Sequence, residues 1–216
     1  MFRKDPRGVY VAESLERLGW INHGFGTRQS PDWAPRAQTV TVKQVHSDRV
    51  LIAEVAAGCL GEGDAIVTSQ PNATLAVRTA DCIPLLIADE RQRVVAAVHA
   101  GWKGTAARIA ARAIAALAER FGSRPEELLV AIGPGIGVCC YEVGRDVAAQ
   151  FDGPERNGGR RVDLDEANFR QAVASGVPAS RVSRIRICTH CKEAEFHSWR
   201  RDRTEERMTS AIGILT

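Results

Sequence analysis

Between Leu75 and Phe121 the chain sets three short apolar runs ahead of one long segment of helical periodicity. The runs are Leu75-Ala-Val-Arg78, Ile83-Pro-Leu-Leu-Ile-Ala88 and Val94-Val-Ala-Ala-Val98. Runs this short, apolar at almost every position, read as strands. An unbroken apolar run means that both faces of the strand are covered. Asp89-Glu-Arg-Gln-Arg93 supplies the polar turn between the second and third. In residues 105–121 Ile109, Ala113, Leu117 and Phe121 recur every four positions, and Ile114 widens the same face, as in an amphipathic helix. Thr105 stands where an N-cap belongs and Gly122 where a C′ glycine belongs.

The rest of the chain extends this order. Residues 128–132 read as another buried strand, 143–151 and 165–174 as helices, and 182–187 as a strand with one wet face. Two Pro/Gly/polar stretches, 29–38 and 153–161, read as surface loops. With 216 residues there is material for one sizeable core and little for two domains. The expectation is an α/β (α+β layered) fold over residues 1–216, a single domain with a mixed sheet flanked by helices.

Charge and hydropathy exclude several classes of function. A net charge of +3 gives no ground for nucleic-acid binding, although it can attract an anionic substrate. No stretch approaches the roughly 20 apolar residues of a membrane helix. Residues 1–17 are largely polar and lack the apolar core of a signal peptide, so a cytoplasmic location is expected. Six cysteines are present, and in a reducing compartment they stay as thiols, with folding independent of disulfides.

Three segments carry chemistry: Lys43-Gln-Val-His46-Ser-Asp, Thr79-Ala-Asp-Cys82 and Val98-His99-Ala-Gly-Trp-Lys-Gly104. His46, Cys82 and His99 each lie at or near the end of an apolar run, where α/β scaffolds place functional groups. Taken together, two imidazoles and a thiolate suit zinc and leave a fourth tetrahedral position open, as in catalytic zinc sites. Gly101 and Gly104, with Lys103 between them at a helix start, read either as a phosphate cradle or as a plain strand-to-helix turn. No GxxxxGK[ST] motif is present, which argues against an ATP-type P-loop. Cys188-Thr-His-Cys191 has half of a zinc-site spacing, but no second CxxC follows and Cys139-Cys140 lacks ligand spacing. Reduced, buried thiols rather than a second metal are expected there. The mixed-charge tail around Arg200, Arg201, Arg203 and Arg207 reads as a solvated face, from which Arg200 or Arg201, next to Trp199, can reach inward.

The chain resembles the laccase-domain (YfiH-type) family, also described as purine nucleoside phosphorylases, polyphenol oxidases or peptidoglycan editing factors. The matching segments include His23-Gly-Phe-Gly-Thr-Arg28, Lys43-Gln-Val-His46-Ser, Gly63-Asp-Ala-Ile-Val-Thr68 and Thr79-Ala-Asp-Cys82-Ile-Pro-Leu-Leu-Ile-Ala-Asp89. They continue through Val98-His99-Ala-Gly-Trp-Lys-Gly104, Ile132-Gly-Pro-Gly-Ile-Gly137, Cys140-Tyr-Glu-Val143 and Ser198-Trp-Arg-Arg-Asp202. The resemblance implies a YfiH-like fold, with zinc held by His46, Cys82 and His99. It also implies phosphorolysis of adenosine, inosine, guanosine and methylthioadenosine, with adenosine deamination at the same site. The segment between Arg28 and Lys43 is shorter than in the family, and Glu205-Glu-Arg-Met208 stands where the family has Thr-Gly-Arg-Met. Any contact from the longer segment is therefore missing or rebuilt.

On this reading Asp81 either shuttles a proton or supports its neighbour Cys82. Arg28, Lys103 and one of Arg200 or Arg201 neutralise phosphate, and Gln44 hydrogen-bonds the base or ribose. A Cys82–His99 nucleophile–base pair would instead make an amide hydrolase, the role implied in editing peptidoglycan precursors. A copper-dependent polyphenol oxidase is the third alternative. Multicopper centres need His-x-His pairs, and this chain has five histidines with no such pair. A blue-copper site normally adds an axial methionine, and the only methionines are Met1 and Met208. A non-enzymatic binding module would show neither metal nor turnover.

Overall fold

The two faces of the central strands belong to two different cores. In the strand Ile83–Asp89, Ile83, Leu85 and Ile87 enter one buried cluster, and Leu86 and Ala88 enter another. In Val94–Ala100 the even-numbered residues from Val94 to Ala100 face the first cluster, and Val95 and Ala97 face the second. Leu128–Ile132 divides in the same way. This period of two, with both faces covered, is why these runs are apolar throughout. The computed structural model describes every residue except Asp32, Asp152 and Gly158, and only the backbone of Asn157.

The second cluster lies between two mixed sheets. The six-stranded sheet runs in the order Val182–Arg184, Leu128–Ile132, Ile83–Asp89, Val94–Ala100, Ala65–Thr68, Val50–Ile52. The seven-stranded sheet runs Phe2–Lys4, Tyr10–Ala12, Ile21–Phe25, Met208–Ile214, Thr74–Thr79, Val40–Lys43, Gly58–Glu62. The helices Ile109–Phe121 and Leu164–Ala174 cover the outer face of the six-stranded sheet through the first cluster. The chain is thus a layered α/β fold with two sheets where one was expected. The N-terminal strands and Met208–Ile214, which had no reading of their own, complete the second sheet around Thr74–Thr79.

Other boundaries shift for local reasons. The helix expected over 105–121 breaks at Arg108, which takes a left-handed φ of 64° between Trp102–Ala106 and Ile109–Phe121. Thr105 therefore lies inside the first helix, and its hydroxyl accepts from Asn168 Nδ2 rather than capping. Gly122 does end the second helix, at a left-handed φ of 70°. The helix expected at 143–151 shortens to Arg145–Ala148. The next begins at Leu164, one residue early, because the Asp163 carboxylate caps it by accepting from the Glu166 N–H. The strand expected at 182–187 ends at Arg184. Of the two expected loops, 29–38 holds one 3₁₀ turn, Arg36–Gln38, and 153–161 holds a short strand, Arg156–Asn157, paired with Arg161–Val162. Asp32 and Gly158, which fall in those loops, lie outside the described residues. Among the described residues no helix is long and apolar enough to cross a membrane.

The topology sets three strand ends side by side. Ile83–Asp89 and Val94–Ala100 are antiparallel, and His99 pairs with Pro84, so His99 lies beside Cys82 just ahead of the first strand. His99 has the parity of Val95 and Ala97, whose side chains face the seven-stranded sheet. From that sheet, the loop after Val40–Lys43 delivers His46 to the same place.

Candidate metal centre and active site

The loop carrying His46 is shaped by one buried carboxylate. The backbone N–H groups of Val45, His46 and Ser47 donate to Asp64 at 3.3, 3.0 and 2.6 Å, and the Ser47 hydroxyl donates at 2.7 Å. His46 reaches this turn with a left-handed φ of 59°, a conformation that costs about 1 kcal/mol or more for a residue with a side chain. Hydrogen bonds to an ionised acceptor, typically about 1.5–3 kcal/mol each, offset it. Asp64 is fully buried. Burial pushes its carboxyl up, but the bonds from His99 and Ser47 outweigh this and hold it down at about 2.

Asp64 also fixes His99. The His99 backbone N–H donates to the Asp64 carbonyl at 2.7 Å, and the ring Nδ1 lies 2.8 Å from Asp64 Oδ1. An ionised carboxylate only accepts, so Nδ1 keeps its proton whether or not the ring is charged, and Nε2 is the nitrogen that would give up its proton to take a metal. Cys82 Sγ lies 3.8 Å from His46 Nε2, and the two imidazole rings meet edge-on at 4.9 Å. One ligand atom from each of His46, Cys82 and His99 lies within 4.8 Å of the others. Burial pushes the Cys82 thiol up, yet the charge of His99 and the bond to His46 outweigh this and bring it down to about 6. Burial alone would lower His99, but Cys82 and Asp64 raise it to about 9.

The donor set fits a tetrahedral cation of zinc type: two nitrogens and a thiolate, with a carboxylate orienting one imidazole. Gly101 leaves the room. A Cβ there would stand 2.7 Å from His46 Cδ2 and 3.0 Å from Cys82 Sγ. Gly104 has a similar reason, since its Cβ would meet the Ser47 carbonyl at 2.9 Å. Both glycines thus admit the His46–Ser47 loop. A blue-copper arrangement finds no axial thioether, because Met208 lies outside the pocket wall and its sulfur accepts from the His197 N–H.

The three donors open into a crevice of about 870 Å³. Its wall contains Arg36, Lys43, Arg78, Arg200, Arg203 and Arg207, against the acids Asp81 and Glu205. Trp102, Tyr141 and Trp199 add aromatic surface, and Trp199 is 41% exposed. Burial pushes the Tyr141 phenol above its ordinary value, so it stays protonated.

The residues read from the sequence divide in two. His46, Cys82, His99, Gln44, Asp81 and Arg200 line the crevice. Arg28, Lys103 and Arg201 do not. Arg28 donates to the Glu193 carbonyl. Lys103 is exposed and lies 5.6 Å from the Trp102 ring centroid. Arg201 donates to the carbonyls of Thr189, His190 and Phe196 and to Asp202, which ties the tail together. The Gln44 amide pairs with the backbone of Arg78 on both sides, at 2.8 Å each, as a strand residue would. Asp81, at a left-handed φ of 85°, accepts from the Thr189 and Ser198 hydroxyls and from the Arg200 N–H. Asp64 was missed, although it stands in the quoted Gly63-Asp-Ala-Ile-Val-Thr68 segment. So were Tyr141, Trp199 and most of the cationic wall. The tail cysteines are not buried: Cys139 and Cys191 are exposed, and Cys140 and Cys188 are intermediate.

Comparison with known proteins places the chain among relatives of the same fold. A family model described as multi-copper polyphenol oxidoreductase laccase matches residues 28–215. A protein of Deinococcus radiodurans named purine nucleoside phosphorylase is 43% identical, covering 97% of this chain and 79% of that protein. A protein from an unknown prokaryotic organism named adenosine deaminase RL5 is 34% identical, covering 75% of this chain and 69% of that protein. The crystal structure of the Bacillus licheniformis hypothetical protein YfiH superposes with a TM-score of 0.88 at 27% identity, covering 99% of this chain and 98% of that one.

Proposed function

The chain belongs to the family described as multi-copper polyphenol oxidoreductase laccase, and from that premise we propose that it is a zinc-dependent purine nucleoside phosphorylase. In this reading it acts on adenosine, inosine, guanosine and methylthioadenosine and also deaminates adenosine. The observation that carries the reading is the His46, Cys82 and His99 donor set at the base of a crevice with a cationic and aromatic wall. Such a wall suits a flat heteroaromatic base joined to an anionic co-substrate. The names of the similar proteins support the same assignment. Held by His46, Cys82 and His99, zinc would supply Lewis acidity.

The chain's own residues divide the remaining work. Arg78, with Lys43 and Arg203 in the same crevice wall, holds phosphate and neutralises its charge. Trp199 offers an exposed ring against which a purine can stack, and the protonated Tyr141 phenol is a hydrogen-bond donor to base or ribose. Asp81 has both carboxylate oxygens engaged, so it positions Cys82 and Arg200 rather than moving a proton. Asp64 holds His99 with Nδ1 protonated and shapes the His46 turn. The exposed free thiol of Cys59 fits a reducing compartment, the cytoplasm. The test is a panel of purine nucleosides incubated with and without phosphate, with products identified by mass and metal measured on the same preparation. Purine release with zinc present supports the proposal, and a panel without any purine product removes it.

A further inference from the structure

We propose that the chain holds a second metal, in a structural site made of four thiolates: Cys139, Cys140, Cys188 and Cys191. The sequence splits these residues into a vicinal pair and a distant CxxC, and neither half completes a ligand set. The fold brings them together, with all four sulfurs within 4.8 Å of one another. Cys139 and Cys140 Sγ lie 3.7 and 3.3 Å from Cys191 Sγ. With zinc–sulfur bonds of about 2.3 Å, the edge of a tetrahedral tetrathiolate is roughly 3.8 Å. The cluster therefore already has about the dimensions of the coordination shell. Thiolate donors without oxygen or nitrogen select a soft or borderline d¹⁰ cation, of which zinc is the common structural case.

The surrounding backbone is built for the same arrangement. The Gly137 N–H donates to Cys188 Sγ at 3.2 Å, the kind of bond that stabilises a ligating thiolate. Gly137 leaves the space, since a Cβ there would stand 3.1 Å from Cys188 Cβ and 3.2 Å from Cys139 Sγ. A bridge between Gly135 and Cys188 and a bond from the Thr189 N–H to the Gly135 carbonyl hold the two loops in register. Cys139 and Cys191 are exposed and, unligated, would be open to oxidation.

Both loops lead directly to the active-site crevice. Tyr141, next to Cys140, lines it. Thr189, inside the CxxC, donates to Asp81, the residue before Cys82. Arg200 donates to the Glu142 carbonyl and lies 5.3 Å from the Tyr141 ring centroid. A metal here fastens the two loops that support one side of the catalytic crevice. On binding, each thiol gives up its proton to solvent, so affinity falls as pH falls.

The test is metal analysis of the full chain purified under reducing conditions. Two zinc per chain are expected for the wild type. Cys82→Ser and the double variant Cys188→Ser, Cys191→Ser are each expected to retain one. A double variant that keeps the wild-type metal content, or a Cys82→Ser protein without metal, overturns the proposal. Should the double variant fail to fold, alkylation of the wild type decides. In the zinc-loaded protein Cys139, Cys140, Cys188 and Cys191 are expected to resist iodoacetamide and to react after a chelator is added. The exposed Cys59 should react in both states. Equal reaction of the four with and without chelator, or a Cys140–Cys191 disulfide in freshly isolated protein, overturns the proposal.

Discussion

His99 Nδ1 donates to Asp64 Oδ1 at 2.8 Å, and the same carboxylate gathers the backbone N–H groups of the turn that presents His46. One buried acid thus orients two of the three candidate metal ligands. Asp64→Asn keeps the size but removes the charge and directs an N–H where an acceptor is needed. Zinc affinity is expected to fall about 10–100-fold, read by competition with a chelator. Unchanged affinity would show that the His46 turn forms without the carboxylate.

Gly101→Ala tests the space rather than the charge. Gly101 has φ −73°, which alanine adopts without strain, so the cost falls on the neighbours His46 and Cys82. The variant should fold, with far-UV circular dichroism like the wild type, and lose most of the metal at the His46 site. Full zinc content would mean that the loop moves aside freely.

His23 gives the fold a pH dependence of its own. Its Nε2 accepts from the Ala12 N–H at 3.0 Å, and burial lowers the imidazole from 6.5 to about 4. The unfolded chain binds this proton first. The stabilisation is therefore complete above pH 6.5 and is lost as pH falls through about 4. At about 1.4 kcal/mol per pKa unit it amounts to about 3 kcal/mol. The difference in stability between wild type and His23→Gln should shrink by about that amount over this window, measured by urea denaturation. A constant difference would contradict the assignment.

Phosphate binding separates the crevice wall from the turn after His99. Arg78→Ala is expected to raise the KM for phosphate about tenfold, roughly 1.4 kcal/mol, with zinc content unchanged. Lys103→Ala is expected to leave it alone, because Lys103 lies outside the wall. The opposite pattern would return phosphate to the Gly101–Gly104 turn.

What the sequence shows, and what it hides, follows from the range of the interactions. His46, Cys82 and His99 stand out because each is a metal-ligand type at the end of an apolar run, a local feature. The central strands are legible because burial on both faces leaves no polar residue to interrupt them. Asp64 is hidden because its partner His99 is 35 residues away and a single buried acid has no spacing to announce it. The cysteine cluster is hidden likewise, since Cys140 and Cys191 are 51 residues apart and long-range backbone links around Gly135 and Cys188 bring their loops together. The break at Arg108, at a left-handed φ of 64°, has no signature, because arginine is an ordinary helix former. Glycines 101 and 104 suggest an anion site by pattern, while their contacts show the close approach of the His46 loop.

The measurement that bears most directly on the proposed activity is hypoxanthine release from inosine by the zinc-loaded enzyme, in matched buffers with and without phosphate, with the sugar product identified by mass. The account expects release only with phosphate, ribose 1-phosphate as the sugar, and loss of the reaction in Cys82→Ser. Release at the same rate without phosphate, giving free ribose, would make the enzyme a nucleoside hydrolase, and no release in either buffer would point to amide hydrolysis; either result contradicts the account.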